Sequence, residues 1–183
     1  MKKLNVGCGT DYREGWINLD FNKKFKTDVT FDLNKIYEGK RFPFKDNTFD
    51  LIILYDVLEH FPEPLPILRE IYRICKKGGI IDIKVPYGDW VWSNLDHKHQ
   101  FFLGSFDVIN FDDYVSGGNK KVELIYRQLY FLPTNSILKK IVYKIFLGLV
   151  NPLIKRKYTL YDQTPLRFIF QKTNINVKYK KVA

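Results

Sequence analysis

Two kinds of residue in this chain are spaced to hold a small molecule: glycines that let the backbone come close, and acids that can grip hydroxyl groups. In Asn5-Val6-Gly7-Cys8-Gly9-Thr10, two glycines follow a short apolar strand and permit a sharp turn against a ligand. Asp20 closes a second short strand and Asp32 a third. In an open parallel sheet the ligand crevice lies beyond the carboxyl ends of the strands. A carboxylate at the second strand end can accept hydrogen bonds from both hydroxyls of a ribose, and one at the third can meet an adenine amino group. Each acid alone could simply cap a turn, but two at consecutive strand ends after a glycine turn read as a nucleoside site. The glycine pattern is not the GxGxxG of dinucleotide binders, because Asp11, Tyr12 and Arg13 follow. A pyrophosphate also wants a helix N-terminus at this turn, and only residues 10–15 separate Gly9 from the next strand. That counts against NAD and ATP and favours a nucleoside without phosphates.

The elements that must position these residues alternate in type. Leu4–Val6, Trp16–Asp20 and Asp28–Asp32 read as strands. Leu51–Tyr55 (LIILY) is a continuous apolar run, the pattern of a strand buried on both faces. Pro64–Cys75 carries Leu65, Leu68, Ile71, Tyr72 and Cys75 at helical spacing, and Lys77-Gly78-Gly79 stops that helix. Ile80–Val85 is the next strand, closed by Pro86. This alternation implies a parallel sheet with right-handed crossovers. Asp89–Phe106, rich in aromatics, reads as a loop or lid, and Phe106–Val115 as a short helix. Lys121–Phe131 and Asn174–Val182 read as strands that pair antiparallel at the sheet edge. Residues 133–165 then form an insertion in a single domain spanning 1–183. Within it, Ser136–Val150 is amphipathic, with Ile137, Leu138, Ile141, Val142, Ile145, Phe146 and Leu149 on one face and Lys139, Lys140 and Lys144 elsewhere.

The first half of the chain resembles the class I S-adenosylmethionine-dependent methyltransferases, in particular their small type 11 branch. The resemblance rests on LNVGCG at 4–9, GWINLD at 15–20, Asp32-Leu33, FPFKDNTFDLI at 42–52, DVLEHF at 56–61 and LREIYRICKKGG at 68–79. It implies an α/β, Rossmann-like doubly wound fold, a mostly parallel sheet with an antiparallel C-terminal edge strand, and S-adenosylmethionine as cofactor. By resemblance, Gly7, Cys8 and Gly9 wrap the methionine portion. Asp20 holds the ribose, and Asp32 with Leu33 frames the adenine. Tyr55, Asp56 and His60 line the cleft floor near the sulfonium. Asn5 joins this set where related enzymes often have an acid, which removes one acidic contact to the methionine ammonium. Asp56 stands where a histidine usually precedes VLEH, and Lys77 replaces a proline.

Methyl transfer from a sulfonium is chiefly a matter of positioning, and a hydroxyl acceptor gains from a general base. His97 and His99 in Asp96-His97-Lys98-His99 are the candidates, with plain surface histidines as the alternative. A metal held by Asp96, His97 and His99 lacks a well-placed further ligand, so no metal site is assigned. Glu59 reads as a structural group at a strand-to-helix junction.

Composition bounds the partners. The 183 residues are 45% hydrophobic and carry a net charge of +10, with two cysteines, Cys8 and Cys75, at no metal-ligand spacing. MKKLNVGCGT is no signal peptide, so the chain reads as cytoplasmic. Residues 133–183 hold 11 Lys+Arg against a single acid, so the whole excess charge lies there. That favours an anionic neighbour. One reading is peripheral contact of 136–157 with an anionic membrane, which suits a lipid-linked or glycan acceptor. Others are a lid helix over the domain, with a small-molecule hydroxyl as acceptor, and a nucleic acid, which lacks a recognised RNA-binding motif. A non-catalytic cofactor-binding partner subunit is the alternative to an enzyme.

Overall fold

Apolar residues at every second position build the sheet. The computed structural model describes residues 1–87, 91–92, 94–106, 122–131 and 173–182, and, within 137–152, positions 137, 138, 140–142, 144, 145, 147–149 and 152. Seven strands lie in one sheet: β1 (Lys3–Val6), β2 (Ile17–Asp20), β3 (Val29–Thr30), β4 (Phe49–Tyr55), β5 (Cys75–Pro86), β6 (Val122–Phe131) and β7 (Thr173–Lys181). Their order is β3-β2-β1-β4-β5-β7-β6. Strands β1 to β5 pair in parallel, and β7 runs antiparallel to both β5 and β6. The expected antiparallel pair is therefore present, but the C-terminal strand sits one place in from the edge and β6 takes the edge itself. The strand order reverses between β1 and β4, which puts a crevice beyond their carboxyl ends. The expected helix over Phe106–Val115 and most of the insertion fall outside the described residues.

One face of the sheet is the core. Leu4, Val6, Leu19, Ile52, Leu54, Ile81, Ile83, Val85, Ile175 and Val177 are wholly buried there. They share a cluster with Ile67, Leu68, Ile71 and Ile74 of α1 (Pro64–Ile74). Leu65 is not part of the buried stripe; it is exposed, and the stripe turns on Ile67 and Ile74 instead. The other face is polar, because side chains alternate along a strand. The register runs Asn18–Asn5–Ile53–Asp82–Lys178 across β2, β1, β4, β5 and β7. Two-face burial holds for Ile52, Ile53 and Leu54, while Leu51 and Tyr55 are half-buried.

Two details fix the sheet against its helix. Gly78 (φ 77°) lies in the bulge between Cys75, which already pairs with Phe49, and Ile80. A Cβ on Gly79 would stand 2.8 Å from Cys75 Sγ and 2.9 Å from the Lys76 carbonyl, so no side chain fits. Arg73 then ties α1 to the segment entering β4. Its guanidinium donates to Glu70 (2.7 Å), Asp46 (2.7 Å) and the Phe44 carbonyl (2.8 Å), while Glu70 accepts the Phe42 amide (2.9 Å). The FPFKDNTFD segment is held by this fork, which holds Asp46 and Glu70 below the ordinary carboxylate range.

Candidate cofactor site at the carboxyl edge

The turn after β1 is built from two left-handed glycines, Gly7 at φ 67° and Gly9 at φ 48°. The Gly7 and Cys8 amides both donate to the Leu19 carbonyl (2.7 and 3.0 Å), which folds the turn over β2. Gly9 N–H then donates to Asp20 Oδ2 and Asn22 N–H to Asp20 Oδ1, each at 2.8 Å. These two amides aim the carboxylate, and each oxygen keeps a lone pair for a ligand. Asp32 caps the 3-10 turn Leu33–Ile36, with Oδ1 accepting the Asn34 amide and side chain (both 2.9 Å). Its other oxygen is uncommitted in that cap.

A cavity of about 530 Å³ opens at these strand ends. Of the expected site residues, Gly7, Asp20, Asp32, Leu33, Asp56 and His60 line it. Phe21, Phe31, Val57 and Phe61 supply apolar and aromatic walls, and Asp96 and Lys98 the far rim. Four carboxylates face one lysine there. Asp56 has φ 55°, a conformation rare outside glycine and the kind of strain that gathers at functional sites. Its carboxyl rises above the usual range through desolvation, opposed by Lys84 and His60.

Four expected contacts do not line the cavity. Asn5 is buried and turned under the turn, donating to the Asp11 carbonyl (2.7 Å) and Asn18 (3.3 Å). Cys8 points down toward the Lys26 carbonyl, and burial with Asp20 nearby raises its thiol to about 11. Gly9 spends its amide on Asp20. Tyr55 shares strand parity with Leu51 and Ile53, so it lies on the polar sheet face and donates to Asp82 (3.0 Å). Phe21 went unread in the sequence. Its signal was a phenylalanine directly beyond a strand-end acid, 66% exposed with no strand left to pack in.

The histidines divide. His97 Nδ1 donates to the Val91 carbonyl (2.6 Å), and its ring meets that of His60 edge-on at 4.9 Å. His60 is lowered by desolvation and by His97. His99 instead donates from Nδ1 to the Pro62 carbonyl (3.2 Å) and packs on Phe101, and it is absent from the cavity lining. Beneath the pair lies Glu59, wholly buried, its carboxyl pushed up to about 8 by burial. The Glu59 carbonyl accepts the Lys98 and His99 amides (2.7 and 3.0 Å), anchoring this loop under the cavity.

Residues 4–83 match the family model of the methyltransferase domain. An uncharacterised protein of Methanocaldococcus jannaschii is 31% identical over 144 residues, 72% of this chain and 59% of that one. An uncharacterised methyltransferase of Schizosaccharomyces pombe is 40% identical over 55 residues, 30% of this chain and 19% of that one. This chain thus spans less than two thirds of either relative. A solved S-adenosylmethionine-dependent methyltransferase from Archaeoglobus fulgidus shares the fold, with TM-score 0.59 at 16% identity, covering 98% of this chain and 86% of that one. Residues 4–83 thus match a methyltransferase domain, and the chain shares the fold of a solved S-adenosylmethionine-dependent methyltransferase. S-adenosylmethionine is the cofactor of this methyltransferase domain, and the cavity fits it. Asp20 offers paired acceptors to a ribose diol. The phenylalanine walls suit adenine. A rim of four carboxylates favours a cationic sulfonium and ammonium and disfavours a pyrophosphate.

Proposed function

We propose that the chain moves the methyl group of S-adenosylmethionine to a hydroxyl of an apolar, lipid-linked acceptor at an anionic membrane surface. The cofactor supplies an already activated methyl, so the protein's share is placement. Asp20 and the phenylalanine walls hold the nucleoside. Gly7, without a Cβ, keeps the turn close to it. The acceptor oxygen approaches along the His60–His97 edge. There the new O–C bond forms as the C–S bond breaks, S-adenosylhomocysteine leaves, and the hydroxyl proton passes to an imidazole nitrogen.

The observation that carries the acceptor class is the helix within 137–149. Ile137, Leu138, Ile141, Val142, Ile145 and Leu149 are 51–74% exposed, and Lys140 and Lys144 are exposed with them. Leu147 is the described residue of this helix that packs on the core, so the apolar face points away from the domain. Among the described residues no helix is long and apolar enough to cross a membrane. Burying a side chain of this kind yields about 1.5–3 kcal/mol when complete, and each lysine near an anionic surface adds about 1 kcal/mol. The whole +10 excess of the chain falls within 133–183, which matches an anionic surface.

Flotation with vesicles of phosphatidylcholine alone or mixed with phosphatidylglycerol tests this. Recovery is expected with the anionic vesicles and is lost in Leu138→Glu/Ile141→Glu, which keeps its affinity for S-adenosylhomocysteine. Equal recovery from both vesicle types, or recovery unaffected by the substitutions, overturns the membrane reading. Tight S-adenosylhomocysteine binding without turnover on any lipid extract overturns the enzyme reading in favour of a cofactor-binding subunit.

A further inference from the structure

We infer that Glu59, His60 and His97 form a binding site for one divalent first-row transition-metal ion of the zinc class, at the inner rim of the cofactor cavity. One ligand atom from each of the three lies within 4.8 Å of the other two. Glu59 is 0% exposed, and neither carboxylate oxygen has a hydrogen-bond partner. A buried carboxylate left bare is costly, and a cation between it and two imidazoles removes the cost. Two nitrogens and one oxygen are a donor set suited to zinc and its neighbours.

The His97 imidazole is already oriented as a metal ligand usually is, giving its other ring nitrogen to a backbone carbonyl. His97 Nδ1–H donates to Val91, which fixes the tautomer and leaves Nε2 unprotonated; it accepts from the Asn94 side-chain amide at 3.3 Å, a bond the metal would replace. Zinc sits about 2.0–2.2 Å from such ligands, so the three atoms would draw in to roughly 3.4 Å of one another. Binding therefore requires a small rearrangement of these three side chains. His60 lines the cavity, so the fourth coordination position faces the space left for the acceptor. On the function proposed above, that position takes the acceptor oxygen and lowers the pKa of its hydroxyl; with both imidazole lone pairs on the metal, the proton leaves to water in place of a histidine. The binding site itself does not depend on that reading. His99 and Asp96 side chains play no part in it, unlike the spacing of Asp96-His97-Lys98-His99 suggests.

The test uses the full chain, stripped with a chelator, and zinc in competition with a chromophoric chelator. Expected is one zinc per chain, with affinity falling at least about 100-fold in Glu59→Gln and in His97→Ala, since even an outer partner costs 10–100-fold. His99→Ala leaves it unchanged. Cobalt in place of zinc gives a visible spectrum of nitrogen and oxygen ligation without thiolate bands. S-adenosylhomocysteine titration reports folding of each variant, and isosteric Glu59→Gln preserves shape if an alanine variant unfolds. Binding far below one zinc per chain, zinc affinity that survives both substitutions, or thiolate bands each overturn the site. Zinc binding without methyl transfer would leave the site standing and overturn only the proposed reaction.

Discussion

Asp20→Asn isolates the ribose contact better than any truncation. The carboxylate accepts from the Gly9 and Asn22 amides, both at 2.8 Å, and on the ribose assignment it would accept from two nucleoside hydroxyls as well. Asparagine keeps the shape and offers one acceptor oxygen in place of two. Its NH2 would face an amide N–H, donor against donor. A hydrogen bond to a charged group is worth about 1.5–3 kcal/mol. Losing the charge on both hydroxyl contacts and one acceptor outright should cost about 3 kcal/mol, roughly 150-fold in the dissociation constant for S-adenosylhomocysteine by calorimetry. A purely structural role would give a similar loss through the turn, so the ligand must be varied as well. Removing both ribose hydroxyls from the ligand should weaken wild-type binding by about the same 3 kcal/mol and barely touch Asp20→Asn, a coupling read by a double-mutant cycle. An equal deoxy penalty in both proteins would refute the ribose assignment, as would an Asp20→Asn affinity within threefold of wild type.

Other outcomes follow from the same geometry. Gly7→Ala places a Cβ 2.5 Å from Val57 Cγ2 at φ 67°, so it should destabilise by about 2–4 kcal/mol from strain and overpacking. Val57→Ala in the same chain should recover at least about 1 kcal/mol in urea unfolding; additive losses would contradict the contact. Phe21→Ala should weaken S-adenosylhomocysteine roughly tenfold through lost stacking without lowering the unfolding midpoint, because Phe21 is 66% exposed in the cavity wall. Arg73→Met should destabilise by about 2–4 kcal/mol through the unpaired Glu70 and the freed 42–46 segment. Arg73 holds the Asp46 and Glu70 pKa values below their unfolded values. Their contribution is therefore complete above the unfolded pKa and lost as pH falls through the folded one. The acid limb of stability, between about pH 5 and 3, should flatten in Arg73→Met; an unchanged slope would count against this coupling.

Where a single strong physical rule governed, the sequence was legible. Short apolar runs, continuous in LIILY, placed β1, β2, β4 and β5. The KKGG stretch marked the end of α1, though Cys75 already joins β5 before the glycines. Gly7, Asp20 and Asp32 reach the cavity because strand ends in a parallel sheet converge there. The residues that the structure places away from the cavity lining share a cause: side-chain direction decided by contacts distant in sequence. Cys8 lies between two left-handed glycines, and only the folded turn shows it pointing down. Tyr55 was misplaced although its parity with Leu51 and Ile53 was countable, since nothing in LIILY says which face is polar. His60 displaced His99 because the 94–99 loop is anchored through the Glu59 carbonyl, a contact 39 and 40 residues away in sequence that no local pattern encodes. The exposed apolar face at 137–149 was visible as periodicity, but its turning outward was not.

The short connection between β1 and β2 raises the question of what keeps the glycine turn rigid without a helix behind it. A hub of buried amides does that work. Asn18 Oδ1 accepts the Arg13 amide (2.9 Å) and the Asn5 side chain (3.3 Å). Asn18 Nδ2 donates to the Arg13 carbonyl (3.0 Å) and Asp28 (2.9 Å), and the same Asp28 oxygen accepts the Asn18 backbone amide (2.7 Å). Arg13 closes the loop from above, its guanidinium 5.3 Å from the Trp16 ring and 5.2 Å from Tyr55. An acid at position 5 would break this hub, because Asn5 must donate to Asp11 and Asn18. Asparagine at position 5, where the family that the chain resembles often has an acid, suits a turn that is fastened by these amides. On the resemblance, this asparagine stands in for one carboxylate near the methionine ammonium. In this site Asp56, Asp96 and Asp32 already give the cavity a net negative rim, so the electrostatic preference for a cationic cofactor survives the exchange.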